Sequence, residues 1–371
     1  MKHPNMKSQV AVAVRSELFR TAMRTGRTGT AAMVTGMALA AVSMNATASE
    51  SLTFSSWGGA YQESQMEAMV NPAAERLGIS VSSDSHTGLS AIQTQVMSGN
   101  VYWDVVDLAV ADCQRGENQD LWHELDYDLI PNAADIPDDY KSDNWVGLIT
   151  YSTVLGWNTD YVDEDSVPQS WEEFFDVEQF PGLRTMRNTG RESLEIALMA
   201  DGVAPEDLYP LDVDRAYDKL AEIEPHVATW WTAGAQSAQL IADGSVEYSA
   251  LWNGRVAAAQ EDGAAVDHHW NQAIVQVECV LVPRGTDHPE LAMRLINEML
   301  DPEFQANFAT IIPYGPANPN AYDTGIISDE LAATLPTSPE NLERSVTLDA
   351  NFWASEEGER ALERWERFTQ E

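Results

Sequence analysis

The chain has 371 residues, with 59 Asp and Glu against 21 Lys and Arg, a formal net charge of −38 at pH 7. A surface this acidic repels nucleic acid and anionic lipid, which argues against both as partners. The two cysteines, Cys113 and Cys279, are too few for a disulfide framework and lack zinc-site spacing; sequence leaves open whether they pair.

In chain order, residues 1–48 carry Lys2, Lys7, Arg15, Arg20, Arg24 and Arg27 against one acid, Glu17. The apolar run Ala31–Met44 and then Ala46-Thr47-Ala48 follow. These are the parts of a secretory signal peptide, and cleavage is expected after Ala48. The apolar run is too short and interrupted to span a bilayer. Removing these six basic and one acidic residue leaves 15 basic and 58 acidic groups, a charge of −43. The acids are spread along the chain, as in a folded protein working in strong salt, where self-repulsion is screened. The expected location is the periplasm.

The remaining residues, about 320, are enough for two domains with real cores. Leu52–Ser56 reads as a strand that runs into Trp57-Gly58-Gly59, with a helix near Tyr61–Leu77. Ile79–Ser83 and Trp103–Val110 read as strands around a helix at Leu89–Ser98, where Leu89, Ile92 and Val96 share a face. The capping box Ser170-x-x-Glu173 opens a helix at Trp171–Phe175. Later strands are expected at Gly182–Met186, Val227–Trp230, Val246–Trp252 and Ile274–Val282. Helices are expected near Arg191–Ala200, Arg215–Ile223, Ala235–Ala242, Gly254–Asp262 and Pro289–Leu300. The alternation argues an α/β architecture with largely parallel sheets.

No G-x-S-x-G, H-E-x-x-H, G-x-x-x-x-G-K or G-x-G-x-x-G occurs, so no motif supports an enzyme. His268-His269 is an isolated pair, read as strand or surface. Aromatics at element ends stand out instead. Trp57 and Tyr61 flank a glycine turn at the carboxyl end of a strand, where ligands collect in open α/β sheets. Trp252-Asn253-Gly254 repeats the pattern, and Tyr314-Gly315-Pro316 is another turn led by an aromatic. Glu278 interrupts an apolar run, and Glu192 stands in the first turn of a helix. Aromatic faces with buried carboxylates are what an organic ammonium needs.

Taken together, these segments resemble the periplasmic solute-binding proteins of ABC importers, specifically the spermidine/putrescine-binding branch. The resemblance covers nearly the whole mature chain. It runs through Trp57-Gly-Gly-Ala-Tyr61, Gly99-Asn-Val-Tyr-Trp-Asp-Val-Val-Asp107, Leu155-Gly-Trp-Asn158, Ser170-Trp-Glu-Glu-Phe174, Gly244-Ser-Val-Glu247, Trp252-Asn-Gly254 and Tyr314-Gly-Pro316. It implies a two-lobed periplasmic-binding-protein fold of type II-like form, with a hinge and an interlobe ligand cleft. Lobe one is placed at 49–155 plus 280–318, lobe two at 156–279, and 319–371 packs back across both. The resemblance gives ligand-binding roles to Trp57, Tyr61, Glu192, Trp252 and Glu278, and Tyr314 joins them as the aromatic that leads its turn. Thr189, Gln276 and Asp107-Leu-Ala109 depart from the family pattern, and Asp107 is read as supplying a lost carboxylate. The implied function is capture of a cationic solute, a polyamine of putrescine or spermidine type, for delivery to an inner-membrane permease. No catalysis, cofactor or metal is expected, and the protein is expected to be a monomer. Another small solute, such as an amino-acid derivative, opine or sugar, is the rival reading, and a secreted hydrolase is a remote one.

Overall fold

Leu52 and Phe54 are buried on either side of half-buried Thr53, and that spacing of two turns them to one face of the first strand, β1 (Ser51–Ser56), whose last residues are buried on both faces. The computed structural model, which describes residues 50–369, sets β1 in a sheet of ten strands. The export signal expected over 1–48 lies outside the described residues. The other main strands are β2 (Ser80–Ser85), β3 (Val105–Ala109), β4 (Trp145–Asn158), β5 (Arg184–Arg187), β6 (Val227–Trp231), β7 (Tyr248–Trp252) and β8 (Val266–Leu281). They lie in the order β2-β1-β3-β8-β4-β7-β5-β6. Two short strands, β9 (Gly315–Pro316) and β10 (Val346–Thr347), pair with β4 and β8.

The expected helices form at Leu89–Ser98, Trp171–Phe175, Gly190–Ala200, Val213–Ile223, Gly234–Ala242, Asn253–Glu261 and Pro289–Met299. Ser170 Oγ accepts the Glu173 amide, the cap that the sequence announces. The helix expected over 61–77 arrives as Gly59–Gln65 and Asn71–Leu77, joined by a π-helical turn at Met66–Val70.

One expectation is corrected. The sheet is not largely parallel. β1 pairs in parallel with β2 and β3, and β5 with β6 and β7, but the centre is antiparallel. There β4 and β8 run together from Trp145 opposite Leu281 to Asn158 opposite Val266. Every residue of β4 is buried, so it lacks the alternation that marks a strand in sequence.

These two long strands also carry the chain between two hydrophobic cores. One gathers Phe54, Leu108, Trp122, Ile149, Leu281 and Phe308; the other gathers Trp157, Trp171, Phe174, Leu194, Tyr217 and Trp353. β4 serves the first core through Tyr151 and the second from Leu155, while β8 serves the second at Ile274 and the first from Val277. After β10, Leu348, Trp353 and Trp365 pack into the second core. Arg115, on the helix Val110–Asn118, donates to the Trp353 carbonyl at 3.0 Å. Cys113 of that helix is disulfide-bonded to Cys279 of β8, with Cα atoms 6.7 Å apart. The bond fastens the helix to the strand beside Glu278.

Candidate functional site

A cavity of about 350 Å³ lies at the crossing, where Tyr151 of β4 and Gln276, Val277 and Glu278 of β8 line it. Five of the sequence-predicted residues also reach it: Trp57, Tyr61, Trp252, Glu278 and Tyr314. Asp107 and Glu192 are not part of the lining.

Trp57 stands where β1 turns away through Gly58 and Gly59, whose φ angles of 75° and 60° suit glycine. The indole is 39% exposed. Its Nε1–H donates to Glu278 Oε2 at 3.0 Å, and its ring meets His86 edge to face at 4.6 Å. Tyr61, on the following helix, packs edge to face against Tyr314 at 6.0 Å and Phe308 at 6.1 Å. Tyr314 in turn lies so close to Gly254 that a Cβ there would sit 2.5 Å from the ring. Asn253 completes the join, donating to the Pro313 carbonyl at 2.7 Å and accepting the Ser152 amide at 3.0 Å. The two motifs Trp252-Asn-Gly and Tyr314-Gly-Pro are therefore one piece of packing, far apart in sequence.

The carboxylates divide by environment. Glu278 is 7% exposed, and burial, followed by the charge of Asp107, pushes its carboxyl well above the usual range. Asp107 is fully buried. Its Oδ2 accepts from Ser56 Oγ at 2.9 Å and Gln65 Nε2 at 3.2 Å, and burial raises it to about 7. Glu192, 1% exposed, accepts from Arg187 and from Thr153 Oγ1 at 2.8 Å. Its φ of 69° breaks the first turn of its helix and carries strain that a residue with a Cβ rarely accepts. The Arg187 partnership accounts for this acid, rather than simple stabilisation of a helix start.

Three arginines complete the lining, and sequence reasoning missed all of them: Arg187, Arg191 and Arg255. Arg187 ends β5; burial, the largest single influence, opposes its charge, but Glu192, Tyr151 and Glu278 together outweigh it and the guanidinium is raised. Arg191 Nη2 donates to Asp112 Oδ1 at 2.9 Å. Arg255 sits in the first turn of the helix after β7. The signal that would have found them is the one that selected Trp252, a residue just past the carboxyl end of a strand. A search for acids passed over them.

Residues of the lining also leave donors unused. The Nε atoms of Arg191 and Arg255 and the Nε1 of Trp252 are buried with no hydrogen-bond partner among the described residues. Buried donors without acceptors are unfavourable by about 1–3 kcal/mol each, a cost that an oxygen acceptor reaching them would remove. No cluster of three or more metal-ligating side chains occurs among the described residues.

A mixed sheet, two cores and an aromatic, charge-lined cavity between them define a two-lobed solute-binding fold. Residues 68–335 match the family described as bacterial extracellular solute-binding protein, and the chain belongs to that family. It is 34% identical over 338 residues to a gamma-aminobutyric acid-binding protein of Pseudomonas aeruginosa, covering 89% of this chain and 94% of that one. It is 26% identical over 232 residues to the spermidine/putrescine-binding periplasmic protein of Escherichia coli, covering 62% and 64%. Among solved structures, an ABC transporter substrate-binding protein from Bradyrhizobium japonicum USDA 110 superposes with a TM-score of 0.83 at 46% identity, covering 86% of this chain and 99% of that one. The protein is thus the solute-binding component of an ABC transporter, a class that delivers small molecules to a membrane permease, and not an enzyme.

Proposed function

We propose that the protein captures a small zwitterion of amino-acid type, one carrying both an ammonium and a carboxylate, rather than a polyamine. The observation that carries this reading is the set of unused donors on Arg191, Arg255 and Trp252 in a cavity that also holds Glu278. A carboxylate satisfies those donors through charge-assisted hydrogen bonds. The ammonium goes to the Glu278 end, beside Trp57 and Tyr61. A polyamine brings only donors and positive charge, so it leaves the arginine side unsatisfied and repelled. The gamma-aminobutyric acid-binding relative is in line with this choice.

The working cycle in this reading is binding, closure and delivery. We place lobe one at 49–155 plus 280–318 and lobe two at 156–279, hinged where β4 and β8 cross, with export by cleavage after Ala48. The two buried cores support a division a few residues from those bounds, with β4 passing from the first core to the second between Tyr151 and Leu155 and β8 returning between Ile274 and Val277.

A thermal-shift panel of amino acids, ω-amino acids, opines, diamines and sugars tests the class. A ligand at 100 times its Kd adds about 2.7 kcal/mol of stability. The zwitterions are expected to raise Tm and the diamines are not. Putrescine or spermidine raising Tm with no response to any carboxylate would return the site to the polyamine reading, which Trp57, Glu278 and the Escherichia coli relative favour.

A further inference from the structure

His86 lies just past β2 and is buried. Its Nδ1 accepts the Gly88 amide at 3.1 Å, and its Nε2 stands 2.7 Å from the Asp107 carbonyl. An amide only donates and a carbonyl only accepts, so the ring is neutral with its proton on Nε2. Its backbone amide donates to the Ser56 carbonyl at 3.0 Å. One residue therefore ties the carboxyl ends of β1, β2 and β3 together, through its amide and its ring. Its ring also abuts Trp57 at 4.6 Å and 68°, and Trp103 flanks it at 6.0 Å. The Trp57 indole, set in this way, donates to Glu278 in the cavity.

We propose that neutral His86 is a positioning residue for solute capture: it holds the Trp57 indole against Glu278, and protonation of the imidazole releases it. A proton on Nδ1 would point at the Gly88 N–H, so the charged ring loses that bond and must rotate, and Trp57 loses its edge-to-face neighbour. The charged and titratable groups around the ring are Asp84 on β2, Asp107 on β3, Asp112 on the helix Val110–Asn118, and Glu278 on β8 across Trp57. Burial lowers the imidazole from its ordinary value, and it outweighs the Asp107 carbonyl and the charges of Asp112 and Asp84, which raise it. Release therefore belongs below the usual histidine range, and the ring stays neutral at pH 7.

This inference rests on the cavity being the solute site but not on the chemical class of the solute. Its main test needs no ligand. The Trp57 indole ¹⁵N–¹H resonance, assigned by its loss in Trp57→Phe, is followed from pH 8 to pH 4 in Glu278→Gln and in the double variant that adds His86→Gln. Glutamine keeps a donor for the Asp107 carbonyl and cannot ionise. In Glu278→Gln, where the group that accepts from the indole cannot titrate, the resonance is expected to keep an acidic step, and that step is expected to vanish when His86→Gln is added. A step that survives in the double variant, or a resonance that does not move in Glu278→Gln, overturns the proposal. With gamma-aminobutyric acid as the probe, His86→Ala is expected to bind about three- to ten-fold more weakly, the scale of one lost aromatic contact. Absence of binding in the parent would count against the zwitterion reading alone, since the resonance titration decides the role of His86.

Discussion

The Arg187 guanidinium stands 4.8 Å from the centre of the Trp252 ring and is ion-paired to the buried Glu192. An aromatic face and a buried carboxylate are what an ammonium solute would seek. Here a side chain of the protein occupies both. Glu192, behind the lining, and Trp252, within it, thus hold Arg187 in the wall of the cavity, and the zwitterion proposal leaves the ammonium end to Trp57, Tyr61 and Glu278.

The two tryptophans should separate on mutation. Trp57 is 39% exposed and packs mainly against His86, so Trp57→Ala is expected to weaken solute binding by about 1–2 kcal/mol and leave Tm unchanged. Trp252 packs edge to face on Trp231 at 5.1 Å and on Tyr151 at 5.7 Å. Trp252→Ala is expected to lose affinity and also about 2 kcal/mol or more of folding stability. Calorimetry and urea melts measure the two effects. Equal stability losses in both variants would show that Trp57 is structural as well.

Arg255→Gln removes a cation whose buried Nε has no internal acceptor. The expected result is a loss of about 1.5–3 kcal/mol for a carboxylate ligand, the worth of a hydrogen bond to a charged group. The fold should not suffer, because no partner is orphaned. Titration with an amino acid and with its decarboxylated amine gives the control. The loss should appear only for the carboxylate, and an equal loss for both would remove the anchoring role.

Burial, followed by the charge of Asp107, pushes the Glu278 carboxyl well above the ordinary range and so toward its protonated form in the free protein. An ammonium arriving beside it favours the ionised form, so binding should release protons to the buffer. Affinity should therefore fall as pH falls, since acid favours the protonated, unbound state. Calorimetry in buffers of different ionisation enthalpy reads the released protons directly. Glu278→Gln is expected to abolish the Glu278 share of that release and to weaken binding by about 1.5–3 kcal/mol. Tight binding by Glu278→Gln would place the ammonium elsewhere.

Much of the fold was legible because its helices and outer strands carry local signals. Leu89, Ile92 and Val96 show a helical period, and Ser170 and Glu173 form a cap. β4 was not legible, since a strand buried on both faces has no alternation to read. The antiparallel centre was lost with it. In the site, Trp57, Tyr61, Trp252 and Tyr314 were found because a strand end followed by glycine is a local pattern. Arg187 meets Glu192 five residues on, whereas Arg255 and Glu278 come to line one cavity only through the sheet. Which acid faces solute and which faces an arginine is a tertiary fact that spacing does not encode.

Salt should stabilise the protein. The charge of about −43 on residues 49–371 repels itself in a compact body, and the Debye length shrinks from about 10 Å at 0.1 M to 3 Å at 1 M. Tm is expected to rise between dilute buffer and molar sodium chloride. A Tm indifferent to chloride would mean that the charges are spaced widely enough not to matter, and the high-salt reading would fall.

Glu195 supplies the last prediction, away from the cavity. It is fully buried on the helix Gly190–Ala200, and its Oε1 accepts from Tyr209 Oη and from Trp353 Nε1 at 2.7 Å. Its Oε2 is buried without a hydrogen-bond partner among the described residues. Burial raises the carboxyl from 4.5 to about 7, against the two hydrogen bonds that lower it. Below pH 4.5 the group is protonated both folded and unfolded, and it adds no pH dependence. Between that pH and about 7 the unfolded chain gives up the proton while the folded chain keeps it, so stability falls as pH rises. Above about 7 the penalty levels off, at up to roughly 3 kcal/mol. Glu195→Gln keeps the acceptor for Tyr209 and Trp353 and cannot ionise. It is expected to melt with the parent at pH 4 and above it at pH 8, with the gap opening across that window. A gap of the same size at both ends of the range would mean that packing, and not the buried proton, sets the contribution of Glu195.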